Sequence, residues 1–374
     1  MVSHISSLPP ATRPTQRDVA VRAGVSQGTV SLALRRHPSI PKKTAEIVRG
    51  IAMRLGYTPD PYLAGLASYR KRMHAPEFQA SLAWLSNDKN GESWKSSPVF
   101  ASYHAGALAK AAQLGYQMED HCLLQAGMTP ARIGNILHAR NIQGIIVAPQ
   151  PRARTALDFN FDRFSAVTLG HALSTPQLNL VAWNQFKDMG LAVRKLMNLG
   201  YRRIGLVVAS ESDRCSGDNW ASSFWGEQQR MRTGERLPAL IEDNINHPLF
   251  KNWYWRNHPD VVISTMPDIR EWLAEMGVAV PTDTGFLSLA GSGDDAGTSG
   301  LSEPSALIGA KAVELLIDML HRFDRGVPAQ QWSVLVNGAW REGRTLRDKN
   351  QPMEATGRGR LESRPNWNLT ATHE

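Results

Sequence analysis

The sequence of 374 residues is poor in cysteine and contains no long apolar run. Its two cysteines, Cys122 and Cys215, lie far apart and without a second cluster of metal ligands, so neither a disulfide framework nor a zinc site is predicted. No apolar run approaches the roughly 20 residues that span a bilayer, and the first residues lack both a basic start and an apolar stretch. We therefore expect a cytoplasmic protein with neither a membrane segment nor a bound metal.

Catalytic signatures are also missing from the sequence. No G-x-G-x-x-G opens a helix after a predicted strand, and neither G-x-S-x-G nor H-E-x-x-H occurs. The glycine-rich stretch 291–300 lacks the Gly-Lys-Ser/Thr ending of a phosphate-binding loop. An enzyme built on a Rossmann-like sheet stays open as an alternative because single histidines are available, but we predict no catalytic residue and no cofactor; these histidines are His104, His121, His171 and His247.

Positive charge is concentrated at the start of the chain. The net charge is +8, and residues 1–80 hold 12 Lys and Arg against 4 Asp and Glu, which is 12 − 4 = +8. The remaining 294 residues balance, with 30 basic and 30 acidic side chains. A basic head on a neutral body is the electrostatic footprint of a small nucleic-acid-binding module attached to a second unit.

Residues 15–34 predict two short helices joined by a tight turn. Thr15, followed three residues later by Asp18, resembles a capping box that starts the first helix. Gly24 can supply the positive φ angle that ends this helix, and Ser26 can cap the next helix through its hydroxyl. The arrangement is that of a helix-turn-helix, whose second helix enters the major groove of DNA.

A third helix from about Lys42 to Leu55 completes the predicted domain and ends at Gly56. Apolar residues at helical spacing are expected to face its core: Ile47, Val48, Ile51 and Leu55. On the second helix the spacing directs one set of residues inward: Thr29, Val30, Ala33 and Leu34. The residues left facing outward near its N-terminal end, where base edges are reached, are Gln27, Gly28, Ser31 and Leu32.

Two segments of the head carry a long and specific pattern. The first is D-V-A-x-x-A-G-V-S-x-x-T-V-S at Asp18 to Ser31, and the second is L-G-Y-x-P at Leu55 to Pro59. Together they resemble the lactose-repressor (LacI/GalR) family of bacterial regulators. The resemblance implies a DNA-binding transcription regulator, most often a repressor, that binds a palindromic operator as a homodimer.

Two departures from the family affect the predicted base contacts. Gly28 and Leu32 stand where the family commonly presents a large side chain and an arginine, so Gln27 is left as the main direct reader. A glutamine can bond N6 and N7 of an adenine, whereas Leu32 can at most touch a thymine methyl. The residues predicted to contact phosphates are Thr15, Ser26, Thr29, Ser31 and Tyr57, with nearby Arg or Lys.

After Pro59 the resemblance implies a hinge helix and linker over residues 60–77. Leu66 matches the apolar wedge that the family inserts into the minor groove, where it bends the duplex. Gly65 and Pro61 make such a helix marginal in isolation, which suits a segment ordered by DNA. The alternative is that Leu66 packs on the body.

The body, residues 78–340, alternates strand-like and helical segments, which is typical of doubly wound parallel sheets. The family resemblance implies a periplasmic-binding-protein-like effector domain of two lobes. The expected fold is therefore an N-terminal all-α helix-turn-helix domain followed by a two-lobe α/β effector domain. The first lobe would comprise 78–182 with 302–326, and the second 183–300 with 328–340. We predict disorder for residues 1–14 and for the tail, 341–374, which lacks apolar periodicity.

The expected effector site lies between the lobes, at the carboxyl ends of the strands. The family binds sugars or nucleosides there, through an arginine and an aspartate that this chain does not place at the expected positions. The candidate contacts are Asn184, Arg214, Ser216, Trp220 and Thr265. Two alternatives stay open: a ligand-independent regulator with a degenerate sensor domain, and a sugar-binding protein without a DNA function.

Overall fold

The computed structural model describes residues 14–34, 37, 39–57, 78–88, 93–289 and 297–351. The predicted hinge and linker, including Leu66, lie outside the described residues, as do residues 1–13 of the predicted N-terminal extension and residues 352–374 of the predicted tail.

The N-terminal domain consists of helices α1 (Gln16–Ala23), α2 (Gln27–Leu34) and α3 (Lys42–Leu55). Thr15 and Asp18 form the predicted capping box, and Gly24 ends α1 with a φ of 64°. The three helices bury one small apolar core: Val19, Ala20, Val30, Ala33, Ala45, Val48, Ile51 and Ala52. The prediction of Ile47 as a core residue is wrong, because the buried face of α3 runs through Ala45, Val48 and Ile51 and leaves Ile47 49% exposed.

The first lobe is built on a six-stranded parallel sheet. Its strand order is β13-β7-β5-β3-β1-β2, with every pair parallel. The strands are β1 (Ala80–Ser86), β2 (Tyr116–Cys122), β3 (Gly144–Val147), β5 (Ser165–Leu169), β7 (Asn179–Trp183) and β13 (Ser333–Val336). Two short strands, β4 (Thr155–Ala156) and β6 (Leu173–Thr175), pair separately. The helices are α4 (Pro98–Gln113), α5 (Pro130–Ala139) and α11 (Ser305–Arg322).

The second lobe repeats this architecture with the order β14-β12-β11-β10-β8-β9. Only the edge pair β12–β14 of this sheet is antiparallel. The strands are β8 (Ile204–Ala209), β9 (Leu240–Glu242), β10 (Val261–Ser264), β11 (Gly285–Ser288), β12 (Gly300–Ser302) and β14 (Ala339–Arg341). The helices are α6 (Gln185–Asn198), α7 (Ser210–Cys215), α8 (Asn219–Gln228), α9 (His247–Asn257) and α10 (Asp268–Glu275). Four-residue strands such as β10 are buried along their whole length because helices cover both faces of a parallel sheet.

The chain crosses between the lobes after β7, after β12 and after β13. The predicted first crossing agrees with this path, but the assignment of all of 328–340 to the second lobe is wrong. Residues 333–336 instead pair with β7 and extend the first sheet, because their alternating side chains suit an edge strand. The crossing into the second lobe therefore falls between β13 and β14.

The three crossings meet at Gly338. A Cβ atom on this residue would lie 2.7 Å from Ser302 O, from Trp183 Nε1 and from Asp188 Oδ2. The buried Asp188 carboxylate accepts hydrogen bonds from Trp183 Nε1 and from Gly338 N, each 2.5 Å long. One carboxylate thus joins the first crossing to the third, and only a glycine fits between them.

The prediction of disorder from residue 341 is wrong as far as residue 351. Thr345 is 3% exposed; its hydroxyl donates to Phe286 O over 2.7 Å and accepts from Ser299 N over 2.9 Å. Further along, Lys349 forms an ion pair with Asp260 at 2.9 Å. This segment lacks apolar periodicity because hydrogen bonds and an ion pair, rather than an apolar stripe, attach it to the second lobe.

Candidate functional site

The N-terminal end of α2 is exposed on the surface of the head. Gln27 and Gly28 are exposed, and Thr29, Ser31 and Leu32 are partly exposed. Ser26 precedes the helix, and its hydroxyl oxygen accepts from Thr29 N at 3.0 Å. The positive end of the helix dipole and a flexible amide side chain are therefore presented together to the surroundings.

Three of the hydroxyls predicted to contact phosphates, those of Thr15, Ser26 and Thr29, have hydrogen-bond partners within the head. Ser26 Oγ lies 2.9 Å from Thr29 Oγ1, and Thr15 Oγ1 donates to Asp18 at 2.7 Å. The backbone and side-chain hydrogen bonds from Thr15 lower the pKa of Asp18, which favours the ionised cap. These residues consequently fix the helix starts, whatever else they contact. Tyr57 is partly exposed and packs against the small core of the head.

The head also carries several basic side chains on its surface. Five of them are exposed: Arg17, Arg22, Lys42, Lys43 and Arg54. The same domain carries only two acidic residues between positions 14 and 57, Asp18 and Glu46. The described surface of the head therefore attracts an anionic partner through its net positive charge.

A cleft of about 280 Å³ lies between the two lobes. Its walls come from residues that follow the carboxyl ends of strands in both sheets, which is where open α/β sheets place ligands. His171 follows β5, Thr265 follows β10, and Glu303 follows β12, while Trp183 ends β7. The predicted site location and this cleft coincide.

Aromatic side chains form much of the cleft wall. Phe100 and Tyr103 come from the first turns of α4, whereas Trp183 and Trp220 come from β7 and α8. The two tryptophan rings meet edge to face, with centroids 5.0 Å apart. Trp220 is only 3% exposed, so it is at once part of the core and part of the cleft lining.

Two polar atoms of cleft residues have no hydrogen-bond partner among the described residues: His171 Nε2 and Gln185 Oε1. His171 donates through its other ring nitrogen to the backbone carbonyl of Trp183, and burial lowers its pKa. With the proton on Nδ1, the neutral ring offers Nε2 as an acceptor. Buried polar groups are nearly always paired in native proteins, so a hydrogen-bond donor brought into the cleft would find its acceptors at these two atoms.

Glu303 is the carboxylate that lines the cleft. Its Oε1 accepts a hydrogen bond from the Tyr103 hydroxyl. Burial raises the pKa of Glu303 to about 7, because the ionised form loses water, although the Tyr103 hydrogen bond opposes the shift. Burial and the nearby Glu303 charge also raise the pKa of Tyr103 well above its ordinary value.

The lobes touch each other at the mouth of the cleft. Ala153 N in the first lobe donates to Glu211 Oε1 in the second over 2.8 Å. Gly217 adopts a φ of 73° and brings its Cα region against His171, so that a Cβ there would lie 3.2 Å from His171 Cβ. The described conformation is therefore one in which the two lobes are in contact.

Three of the five predicted effector contacts line the cleft: Ser216, Trp220 and Thr265. Asn184 instead lies at the first crossing, where it caps α6 and donates to Asn337 over 3.1 Å. Arg214 does not line the cleft; it forms ion pairs with Glu211 and Asp243.

Six polar residues line the cleft but are not among the predicted effector contacts: Tyr103, Gln150, His171, Gln185, Ser212 and Glu303. Three of them lie within two residues of the carboxyl end of a buried strand, which is the sequence signal that could have identified them.

Among the residues that the structure describes, no helix is long and apolar enough to cross a membrane. The same described ranges contain no group of three or more His, Cys, Asp or Glu side chains arranged to hold a metal ion.

The head is similar to a known family of proteins. The family described as "Bacterial regulatory proteins, lacI family" matches residues 15–60. The HTH-type transcriptional regulator GntR of Pseudomonas aeruginosa is 48% identical over 56 residues, 15% of this chain and 16% of that protein. The HTH-type transcriptional regulator CelR of Thermobifida fusca is 23% identical over 216 residues, 55% of this chain and 58% of that protein. The chain thus spans little more than half the length of CelR and a much smaller part of GntR.

Solved structures share the two-part fold. A transcriptional regulator CelR–cellobiose complex has a TM-score of 0.52 at 16% identity and covers 89% of this chain and 100% of its own. A lac repressor dimer bound to operator and the anti-inducer ONPF has a TM-score of 0.51 at 17% identity. The match covers 89% of this chain and 99% of the repressor chain. The fold is accordingly a helix-turn-helix domain followed by a two-lobe α/β domain, as the sequence predicts.

Proposed function

We propose, from the premise that residues 15–60 form a DNA-binding domain of the lacI family, that this chain is a sequence-specific transcription regulator. The observation that carries the proposal is the exposed N-terminal end of α2, where Gln27 and Gly28 stand free of the core. In helix-turn-helix proteins this end of the second helix contacts base edges in the major groove. Double-stranded DNA is the proposed partner, and the cytoplasm the proposed location.

Base recognition is assigned chiefly to Gln27. Gly28 has no side chain and Leu32 no hydrogen-bonding group, so Gln27 is the polar side chain that can distinguish an adenine at this end of α2. Thr15, Ser26, Thr29, Ser31 and Tyr57 are assigned to phosphate contacts, mainly through the helix ends that they fix. Leu66 keeps its proposed role as a minor-groove wedge, which rests on the family resemblance.

The cleft is proposed to hold a small effector, of the sugar class, that modulates DNA binding. A volume of about 280 Å³ lies near the lower end of ligand pockets, which span roughly 300–1,000 Å³. Trp183 and Trp220 offer apolar surface, and the unpaired acceptors of His171 and Gln185 suit hydroxyl donors. A related structure holds cellobiose. The unpaired acceptors favour this reading over a ligand-independent regulator.

A homodimer is the proposed assembly. One recognition helix reads only a few base pairs, and a two-fold dimer doubles the contact on a palindrome. The outer face of α4 supports this, because it is apolar and exposed at Ala105, Leu108, Ala109 and Ala112. An enzymatic function is not proposed; the curated relatives are transcription regulators, and detectable turnover of a nucleotide or an ester would reopen that alternative.

The test is selection of DNA fragments by the full chain, followed by binding measurements on the selected site. We expect a palindromic site and binding that weakens steeply with salt as counterions are released. Gln27→Ala should flatten base preference at one position of each half-site, where it removes about 1–3 kcal/mol of discrimination. Met53→Ala, at another exposed position of the head on α3, is the matched control and should leave base preference intact. A salt-independent response, or no selected fragment, would refute the proposal.

A further inference from the structure

The cleft combines aromatic walls with a single carboxyl group. Four aromatic side chains line it: Phe100, Tyr103, Trp183 and Trp220. Glu303 adds a carboxylate, and none of the described lining residues is a lysine or an arginine. Aromatic faces attract cations through their quadrupoles, and an aromatic cage with a carboxylate is a recurring solution for recognising ammonium groups.

The unpaired polar atoms of the cleft also favour a ligand that carries an ammonium group. His171 Nε2 is an acceptor when Nδ1 carries the proton for Trp183, and Gln185 Oε1 is an acceptor by its chemistry. An ammonium group supplies several N–H donors, and so it can satisfy acceptors as well as the charge. An anionic group would instead face a carboxylate, two acceptors and the negative faces of the rings, without a described cation beside it.

We infer that the effector cleft selects a ligand bearing a protonated amine, such as an amino sugar or an amino polyol, and that Glu303 is its counter-ion. The inference rests on the proposed function of the cleft and names the chemistry of its ligand. Glu303 fits the role because its ionised form is destabilised by burial, and a ligand cation would restore the lost stabilisation. Arg214, which would repel a cation, does not line the cleft, and its charge is paired with Glu211 and Asp243.

The experiment measures thermal stabilisation of the full chain by two matched sets of probes. The first set is D-glucosamine, D-glucose and D-glucuronate, and the second is N-methyl-D-glucamine, D-sorbitol and D-gluconate; within each set the polyol frame is kept and the charge changes. We expect an amine to raise the melting temperature more than its neutral and anionic partners, since a ligand that binds only the folded state stabilises it.

Two variants locate the effect at the cleft. Glu303→Gln should lower amine affinity about tenfold or more, because a charge-assisted hydrogen bond becomes a neutral one. Gln185→Glu, at the first turn of α6 where an acidic residue is tolerated, should raise amine affinity, a gain that misfolding cannot produce. Its matched control is Lys187→Gln, which changes charge on the same helix at an exposed position that does not line the cleft, and should change nothing.

Three results would overturn the inference: no stabilisation by either amine at tens of millimolar, equal or greater stabilisation by a neutral or anionic partner, or amine binding that is unchanged in both Glu303→Gln and Gln185→Glu. None of these results affects DNA binding by the head, which is measured separately. Failure of the amine inference is therefore distinguishable from failure of the proposed function.

Discussion

Replacing Glu303 with glutamine should change how the stability of the protein depends on pH. Burial raises the pKa of Glu303 from 4.5 to about 7 in the folded chain. The folded state then binds more protons than the unfolded state between these two values, so that this group destabilises the fold as the pH rises. The stability that the protonated Glu303 carboxyl contributes is fully present below about pH 4.5, and it is lost progressively as the pH rises from about 4.5 to about 7.

The magnitude follows from the size of the shift. One pKa unit corresponds to about 1.36 kcal/mol, so a shift of about 2.5 units amounts to about 3 kcal/mol, of which about 2.5 kcal/mol develops between about pH 5 and about pH 8. Glu303→Gln removes this titration and leaves the other groups in place. Relative to the wild type, the variant should therefore gain about 2.5 kcal/mol of stability over that range.

Urea denaturation of both proteins at several pH values measures the difference. Taking the difference between wild type and variant cancels the titration of groups that the two share. A difference in unfolding free energy that stays constant from pH 5 to pH 8 would refute the account, because it would place the folded-state pKa of Glu303 at its ordinary value. The Tyr103 hydrogen bond lowers the Glu303 pKa, so Tyr103→Phe should move the transition to higher pH.

Two further predictions concern the crossings and the C-terminal segment. Gly338→Ala should destabilise the fold by about 1–3 kcal/mol, because the new methyl group would meet Ser302 O. Gly226→Ala, with open space on α8, should instead stabilise the fold by up to about 1 kcal/mol. The denaturation midpoints of the two variants test this difference, and equal effects would contradict it. Thr345→Val should lower the free energy of unfolding by about 1–3 kcal/mol, because Ser299 N loses its buried acceptor. Faster proteolysis near residue 345 should accompany this loss. Unchanged stability together with unchanged proteolysis would contradict the anchoring role of Thr345.

The sequence predicts the central strands well because their environment is uniform. Val261–Ser264 is buried along its whole length, and a continuous apolar run is the expected pattern for such a strand. The strand Tyr116–Cys122 has no such run, because it lies at the edge of the first sheet, where half-exposed polar side chains replace apolar ones. Edge elements depend on a neighbour that the local pattern does not reveal.

The candidate site was predictable in location but not in chemistry. Strand ends pointed to the cleft, and Ser216, Trp220 and Thr265 line it. The properties of Glu303, in contrast, depend on Tyr103, which lies 200 residues away in the chain, and on burial by both lobes. A single sequence carries no signal for a pairing of that kind. Arg214 was misplaced for the same reason, since its partner Asp243 is brought near by the fold.

Because the chain crosses between the lobes three times, neither lobe is a continuous piece of sequence. The edge strand Ser333–Val336 of the first sheet and the edge strand Ala339–Arg341 of the second each come after all the other strands of their sheets in the chain. Until these two strands are made, a ribosome-bound chain carries two incomplete sheets, and Asn179–Trp183 exposes hydrogen-bonding groups that the finished protein covers. Open edges of this kind invite pairing with other chains. A chain truncated before Ser333 would therefore be aggregation-prone, because both of its sheets would lack an edge strand.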